Sequence, residues 1–176
     1  MRLTGVLVAV LVTVPLMAAE NAFDFKAMFA KHWRTAKEFT LAVAEAMPAD
    51  GYDFKPNPEE LSFGQLMVHI AAQNSDSCAT ATGSEPPPSV PSADARPPMM
   101  DKQAAVNLLT ISFDKCAKDV DAMAPQLLNK EVYKFQGRPV LAGEALWYTF
   151  THMAHHRGQA EVYLRMKNIK PPAWRF

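Results

Sequence analysis

Histidine is the residue whose spacing in this sequence points most directly to chemistry. The chain of 176 residues contains five histidines, and three of them fall within five positions, at His152, His155 and His156. His152 and His156 are four residues apart, so on a helix their imidazoles project from one face about a turn apart. Two imidazoles placed in this way can bind one metal ion together. His155 competes for the second position, but it points further round the helix, so we rank His156 above it.

A third ligand would have to come from another part of the chain, and His69 is the candidate. It lies in a second apolar segment, where Leu66, Val68 and Ile70 place it beside a core. The interior of a helical bundle is where facing helices build metal sites. Three neutral imidazoles suit Zn, Ni, Fe or Cu, and they leave a coordination position free. The alternative for His69 is a buried histidine held by a hydrogen bond.

Four segments with helical periodicity would position these histidines. Their apolar residues recur in steps of three and four, and they cover residues 23–47, 62–83, 101–123 and about 142–167. Ser62 and Gln65 form a capping box at the start of the second segment. Trp33 and Trp147 are interpreted as core residues. The sequence therefore predicts an all-α four-helix bundle, with His69 on the second helix and the other two candidate ligands on the fourth.

Two connections in this bundle have a character of their own. Residues 131–141 alternate in polarity around Gln136-Gly137, which predicts a short β-hairpin before the fourth helix. Residues 84–100 form a stiff connection between the second and third helices, long enough to cross one end of the bundle. That connection contains six prolines, namely Pro86, Pro87, Pro88, Pro91, Pro97 and Pro98. The topology therefore need not be a simple up-and-down one.

Several motifs together resemble a known family of helical proteins. The first group runs from Tyr52-Asp53-Phe54-Lys55-Pro56 through Glu59 and Ser62-Phe63-Gly64-Gln65-Leu66 to His69-Ile70-Ala71. The second comprises Leu146-Trp147, His152-Met153-Ala154-His155-His156-Arg157-Gly158-Gln159, Val162-Tyr163-Leu164-Arg165 and Asn168-Ile169-Lys170-Pro171-Pro172. In this order, after residue 19, they resemble the DinB/YfiT-like superfamily of metal-binding bundles.

The resemblance implies a four-helix bundle, often dimeric, with a divalent metal ion held by three histidines. The family's first ligand falls on His69, and its paired ligands fall on His152 and His156. Some relatives transfer low-molecular-weight thiols to electrophiles, and others are hydrolases or isomerases of thiol adducts. We therefore expect a homodimer that binds Zn, Ni or Fe and acts on a small-molecule substrate.

The first nineteen residues have the order of a secretory signal peptide. Arg2 precedes an apolar run from Val6 to Leu16, and the small residues Ala18 and Ala19 precede Glu20. The run is short for a spanning helix and contains a proline, so we expect cleavage, with no stable membrane anchor afterwards. The predicted division is a signal peptide at 1–19 and a DinB-like domain at 20–176, and the predicted location is periplasmic or secreted.

An exported protein meets an oxidising environment, which bears on the two cysteines. Cys78 and Cys116 allow one intramolecular disulfide, and the alternative is two separate buried thiols. Export also bears on the reaction, because cytosolic thiol cofactors are scarce outside the membrane. This weakens the expectation of a thiol transferase.

The charge balance excludes one class of partner. The chain has 18 basic and 18 acidic residues, and the basic ones are scattered, so we expect no binding to nucleic acid. Three functions stay open: a metal-dependent hydrolase or thiol transferase, a non-catalytic metal- or ligand-binding protein of the cell envelope, and a metal-free bundle that dimerises. A general base would favour the enzyme, and its candidates by sequence distance are Glu59, Glu60, Asp76 and Glu161.

Overall fold

The computed structural model describes residues 23–175, and within them four helices form one bundle. The helices are α1 (Phe25–Ala46), α2 (Phe63–Thr82), α3 (Lys102–Ala122) and α4 (Ala142–Met166). Short 3₁₀ turns lie at Ala49–Gly51 and Pro125–Asn129. The predicted four-helix bundle is confirmed, with helix ends within two or three residues of those predicted. The predicted signal peptide lies outside the described residues.

Local sequence signals account for the helix ends. The Asp24 side chain accepts from the Ala27 N–H at 3.0 Å, and Asp101 caps α3 in the same way through Ala104. The predicted capping box is present at α2, where Ser62 and Gln65 each accept a hydrogen bond from the other's backbone. α2 ends at Gly83, whose φ of 72° is a conformation that glycine adopts without steric cost.

The helices follow an up–down–down–up topology. α1 and α2 each pack against both α3 and α4. Near the C-terminal ends of α2 and α3, Ser84 donates to the Asp119 carboxylate at 2.6 Å, so these two helices run parallel. Near the N-terminus of α2, the Tyr163 hydroxyl of α4 donates to the Leu61 carbonyl at 3.1 Å, so α2 and α4 are antiparallel.

The proline-rich connection is longer than a link across one end of the bundle would need. Because α2 and α3 are parallel, the chain must return along the whole of α2 before α3 can start. Asp76, in the middle of α2, accepts from the Ala93 N–H at 2.7 Å. Gln65, in the first turn of α2, donates to the Pro97 carbonyl at 2.9 Å. The connection therefore runs back along α2, and the inference that the topology need not be a simple up-and-down one agrees with the parallel packing of α2 and α3.

The predicted hairpin is also present. Strands β1 (Glu131–Phe135) and β2 (Arg138–Leu141) are antiparallel, with Phe135 opposite Arg138. Gln136 and Gly137 have φ of 50° and 78°, which are the positive values that a two-residue type I′ turn requires. The hairpin leads directly into α4 and lies beside its first turns.

A single apolar core fills the bundle, and a disulfide joins two of its helices. The largest side chains with almost no exposed surface come from all four helices and include Trp33, Phe39, Phe63, Phe113, Leu146 and Met153. Cys78 of α2 and Cys116 of α3 are joined, with their Cα atoms 5.6 Å apart. Of the two possibilities left open for the cysteines, the structure has the disulfide. No helix among residues 23–175 is long and apolar enough to cross a membrane.

Candidate metal centre

The antiparallel packing of α2 and α4 brings three histidines together. His156 Nε2 lies 3.2 Å from His69 Nε2 and 3.1 Å from His152 Nε2. Each of the three residues offers a ring nitrogen that lies within 4.8 Å of the other two. The spacing of four residues on α4 produces the pair, and His69 faces the pair from α2. The predicted set is therefore assembled in one place.

The spacing of these nitrogens fits a shared ion. Two nitrogens that each bind one ion at about 2.0–2.1 Å can be at most about 4.2 Å apart. The separations of 3.1 and 3.2 Å satisfy this limit. Imidazole is also the ligand type that Zn, Fe and Ni share. The donor set and its geometry therefore suit a divalent metal ion.

The surroundings keep the three imidazoles neutral, which is the form that binds metal. All three residues are partly buried. Burial, together with the smaller effect of the neighbouring histidines, lowers the pKa of His152 to about 4. Burial also lowers the pKa of His69 and His156, although the hydrogen bond from His156 to Gln159 works in the opposite direction. At neutral pH no proton has to be displaced before an ion binds.

Gln159 sets the orientation of His156. Its Oε1 lies 2.7 Å from His156 Nδ1, and its Nε2 lies 3.3 Å from His155 Nε2. A carbonyl oxygen only accepts, so His156 must carry its proton on Nδ1 and present the Nε2 lone pair to the other two histidines. The sequence motifs did not predict this link between Gln159 and His156. The position of Gln159 three residues after a candidate ligand was the available signal.

The remaining histidines lie outside the group. His155 is exposed and contacts Gln159 and the edge of the His156 ring, but it does not belong to the three-histidine set. His32, on α1, does not belong to it either. The ranking of His156 above His155 therefore agrees with the geometry.

No carboxylate joins the three histidines among residues 23–175. Of the four candidate bases, Asp76 accepts hydrogen bonds from Ser92 and Ala93 of the proline-rich connection. Glu161 lies 3.8 Å from Arg165 in an ion pair within α4. Glu59 and Glu60 are exposed and lie in the loop before α2. None of the four belongs to the three-histidine group.

The two tryptophans that were interpreted as core residues differ in the structure. Trp33 is buried as predicted, and its Nε1–H donates to the Phe113 carbonyl. Trp147, in contrast, is 55% exposed and stacks on Phe150 at the surface, so its assignment to the core is wrong.

Arg157 is partly buried and places its guanidinium 4.4 Å from the centre of the Phe39 ring. It therefore braces α4 against α1.

An open cavity of 1340 Å³ lies about one helical turn from His69 and His152, and none of the three histidines lines it. Its walls are the later part of α2, the proline-rich connection, the hairpin and the first turns of α4. Tyr148 lines it, and the Tyr148 ring centre lies 5.5 Å from that of His152. Gln73, one turn after His69, lines it from the other side. This cavity is large enough for a small-molecule ligand.

The fold and the site together define a class of protein, a four-helix bundle with three histidines on two facing helices. Residues 32–160 match the family model of the DinB superfamily. The chain therefore belongs to the DinB superfamily, and the family predicted from the sequence motifs is confirmed. The motifs quoted after residue 160 lie beyond the matched region.

Solved structures show the same fold. A DinB-like protein from Bacillus subtilis, YjoA, superposes with a TM-score of 0.67 and 20% identity, over 84% of this chain and 96% of that one. A DinB-like protein from Bacillus cereus superposes with a TM-score of 0.71 and 18% identity, over 84% of this chain and 95% of that one. No curated protein matches the sequence.

Proposed function

We propose that this protein is exported, binds one divalent metal ion at His69, His152 and His156, and acts on a small molecule as a metal-dependent hydrolase. The observation that carries the proposal is the convergence of three Nε2 atoms from two helices. Three protein ligands leave at least one position of the ion free, which is the pattern of catalytic sites. The cavity that begins at Tyr148 and Gln73, one helical turn from the histidines, supports a substrate bound near the ion.

The chain's own residues prepare this site in specific ways. Burial keeps the three imidazoles neutral, and Gln159 holds His156 in the tautomer with a free Nε2. The Tyr148 ring packs against His152 and limits its rotation. When bound, a divalent ion such as Zn, Ni or Fe supplies Lewis acidity, which polarises a substrate oxygen or lowers the pKa of a water molecule.

Two features support export and a hydrolase over a thiol transferase. The order of charged, apolar and small residues at 1–19 is that of a signal peptide. The disulfide between Cys78 and Cys116 is a second and independent feature of proteins that fold in an oxidising compartment. Reduced thiol cofactors are scarce in such a compartment, so water is the more available nucleophile.

A non-catalytic metal- or ligand-binding role in the cell envelope is the second candidate. The observation that favours it is the lack of any carboxylate in the histidine group within residues 23–175. A site without a general base can bind a ligand through the metal ion without turning it over.

A homodimer is part of the proposal. α4 carries three apolar residues that are about half exposed, Trp147 (55%), Val162 (52%) and Met166 (51%). At 100° per residue they fall within about 100° of one side of the helix. Sedimentation of the wild type and of a Trp147→Lys, Val162→Lys variant tests this face. A wild type that sediments as a monomer would contradict the dimer.

The free coordination position is tested with cobalt. The metal-free protein is loaded with Co²⁺, and its visible absorption is recorded before and after addition of azide. A change in the absorption bands with azide is expected for the wild type and for the control His155→Ala. Bands that do not respond to azide would contradict the hydrolase and favour the second candidate. Failure of Co²⁺ to bind would contradict the metal site itself.

A further inference from the structure

The cavity beside the histidines has a chemical character that identifies a class of ligand. We propose that it binds small organic cations, namely a protonated or quaternary amine attached to an apolar body. This rests on the proposed function only in treating the cavity as the place where a substrate lies. The proposal uses the cavity's shape, its aromatic side chains and the sign of its charge.

Three aromatic side chains line the cavity, Tyr133 and Phe135 from the hairpin and Tyr148 from α4. The exposed fractions of these side chains are 37%, 57% and 45%, respectively. Aromatic faces attract cations, and ammonium ligands are typically bound between such rings. The hairpin packs against α4 here. In keeping with this, the pKa of Tyr133 is raised by burial and by the nearby Tyr148 and Glu144.

The charge of the lining has one sign. Asp76, Asp94 and Glu144 line the cavity, and no lysine, arginine or histidine among residues 23–175 does. Asp76 and Glu144 accept hydrogen bonds from neutral backbone N–H groups, which leave the charge uncompensated. Within residues 23–175 none of the three carboxylates forms an ion pair. A cavity with low-dielectric walls and charges of one sign concentrates ions of the opposite sign.

The neighbouring cations do not reverse this charge. Lys115, which contacts Ser84 on the cavity wall at 3.4 Å, is already paired with Asp119. Arg138 lines a smaller depression that shares Glu144 with the cavity, but it does not line the cavity itself. An anionic ligand would therefore meet three carboxylates and no compensating charge. The lining disfavours carboxylate-bearing thiol cofactors for the same reason.

The test uses three probes of similar size and different charge: benzyltrimethylammonium, benzyl alcohol and benzenesulfonate. Dissociation constants are measured by NMR titration of the full mature protein, both as purified and after removal of metal with EDTA. The expected result is binding of the ammonium about tenfold tighter than that of the alcohol, as cation–aromatic contacts provide. Benzenesulfonate should bind more weakly still. Shifts should centre on the amides of Ala79, Gly83 and Ala145.

Variants localise the effect. Tyr133→Leu and Asp94→Asn should each weaken binding of the ammonium about three- to tenfold. The matched controls Phe23→Leu and Asp121→Asn remove an exposed aromatic ring and an exposed carboxylate outside the cavity, and they should leave binding unchanged. Binding of the alcohol or the sulfonate that is as tight as that of the ammonium, or tighter, overturns the proposal. The lack of ammonium binding at about 10 mM also overturns it, because that concentration exceeds the dissociation constant of even weak specific binding.

The outcomes also separate this inference from the proposed function. If the protein contains no metal as purified but binds the ammonium, the cavity proposal is supported and the metal-dependent reaction is contradicted. A protein that holds its metal but does not distinguish the three probes keeps the metal site and loses the cavity proposal.

Discussion

The disulfide between Cys78 and Cys116 should provide a large share of the stability of this fold. The two residues are 38 apart in sequence. In the chain-entropy model, closing a loop of that length stabilises the folded state by about 4 kcal/mol. Six prolines already restrict this segment in the unfolded chain, which lowers the expected stabilisation by the disulfide to about 3 kcal/mol. Domains of this size are typically stable by about 5–15 kcal/mol, so the loss should be severe.

The assay is urea unfolding of the metal-free protein, with and without reductant, for the wild type and a Cys78→Ala, Cys116→Ala variant. Reduction should lower the free energy of unfolding of the wild type by about 3–4 kcal/mol. This corresponds to a decrease of about 6–16 °C in melting temperature. The double variant should match the reduced wild type and should not respond to reductant. A loss below about 1 kcal/mol, or two free thiols on unfolded and unreduced protein, would refute the reasoning.

Three further predictions concern the site and the N-terminus. Gln159→Leu removes the acceptor for the His156 Nδ1–H and should weaken metal binding about 10- to 100-fold. Gln159→Glu keeps an acceptor and should retain metal binding. Equal metal affinities in the two variants would exclude the positioning role of Gln159. Burial lowers the pKa of His69, His152 (to about 4) and His156, so the folded metal-free protein binds fewer protons than the unfolded chain between pH 6.5 and 4. The free energy of unfolding should therefore be highest above pH 6.5 and fall toward pH 4. The urea midpoint of His152→Gln should depend less on pH than that of the wild type. An unchanged pH dependence in this variant argues against the buried histidines as the cause. Finally, the mature protein should begin near Glu20 in the envelope fraction, and an intact Met1 in the cytoplasm would show that residues 1–19 are retained.

Much of the fold could be predicted from the sequence because the signals were local. Helix starts at Ser62 and Asp101 depend on side chains within three residues of the cap. The hairpin turn depends on Gln136-Gly137 alone. The direction of the helices was not predictable in this way. The parallel packing of α2 and α3 depends on contacts between distant residues, such as that of Ser84 with Asp119.

The site also has features that local sequence predicts and features that depend on distant contacts. The pairing of His152 with His156 follows from helical spacing, but the approach of His69 depends on how α2 packs against α4. The exposure of Trp147 could not be inferred from its type, since an aromatic residue is as compatible with a surface contact as with a core. The cavity was not predictable either, because its walls come from four separate parts of the chain.

The most direct test of the central claim is metal stoichiometry, measured by elemental analysis of the purified wild type and of five single histidine-to-alanine variants. One ion per chain is expected for the wild type, for His32→Ala and for His155→Ala. Most of the metal should be lost from His69→Ala, His152→Ala and His156→Ala, because each removes one of the three converging nitrogens. Full stoichiometry in His69→Ala would contradict the three-histidine site. Loss in His155→Ala with retention in His156→Ala would contradict the assignment on α4.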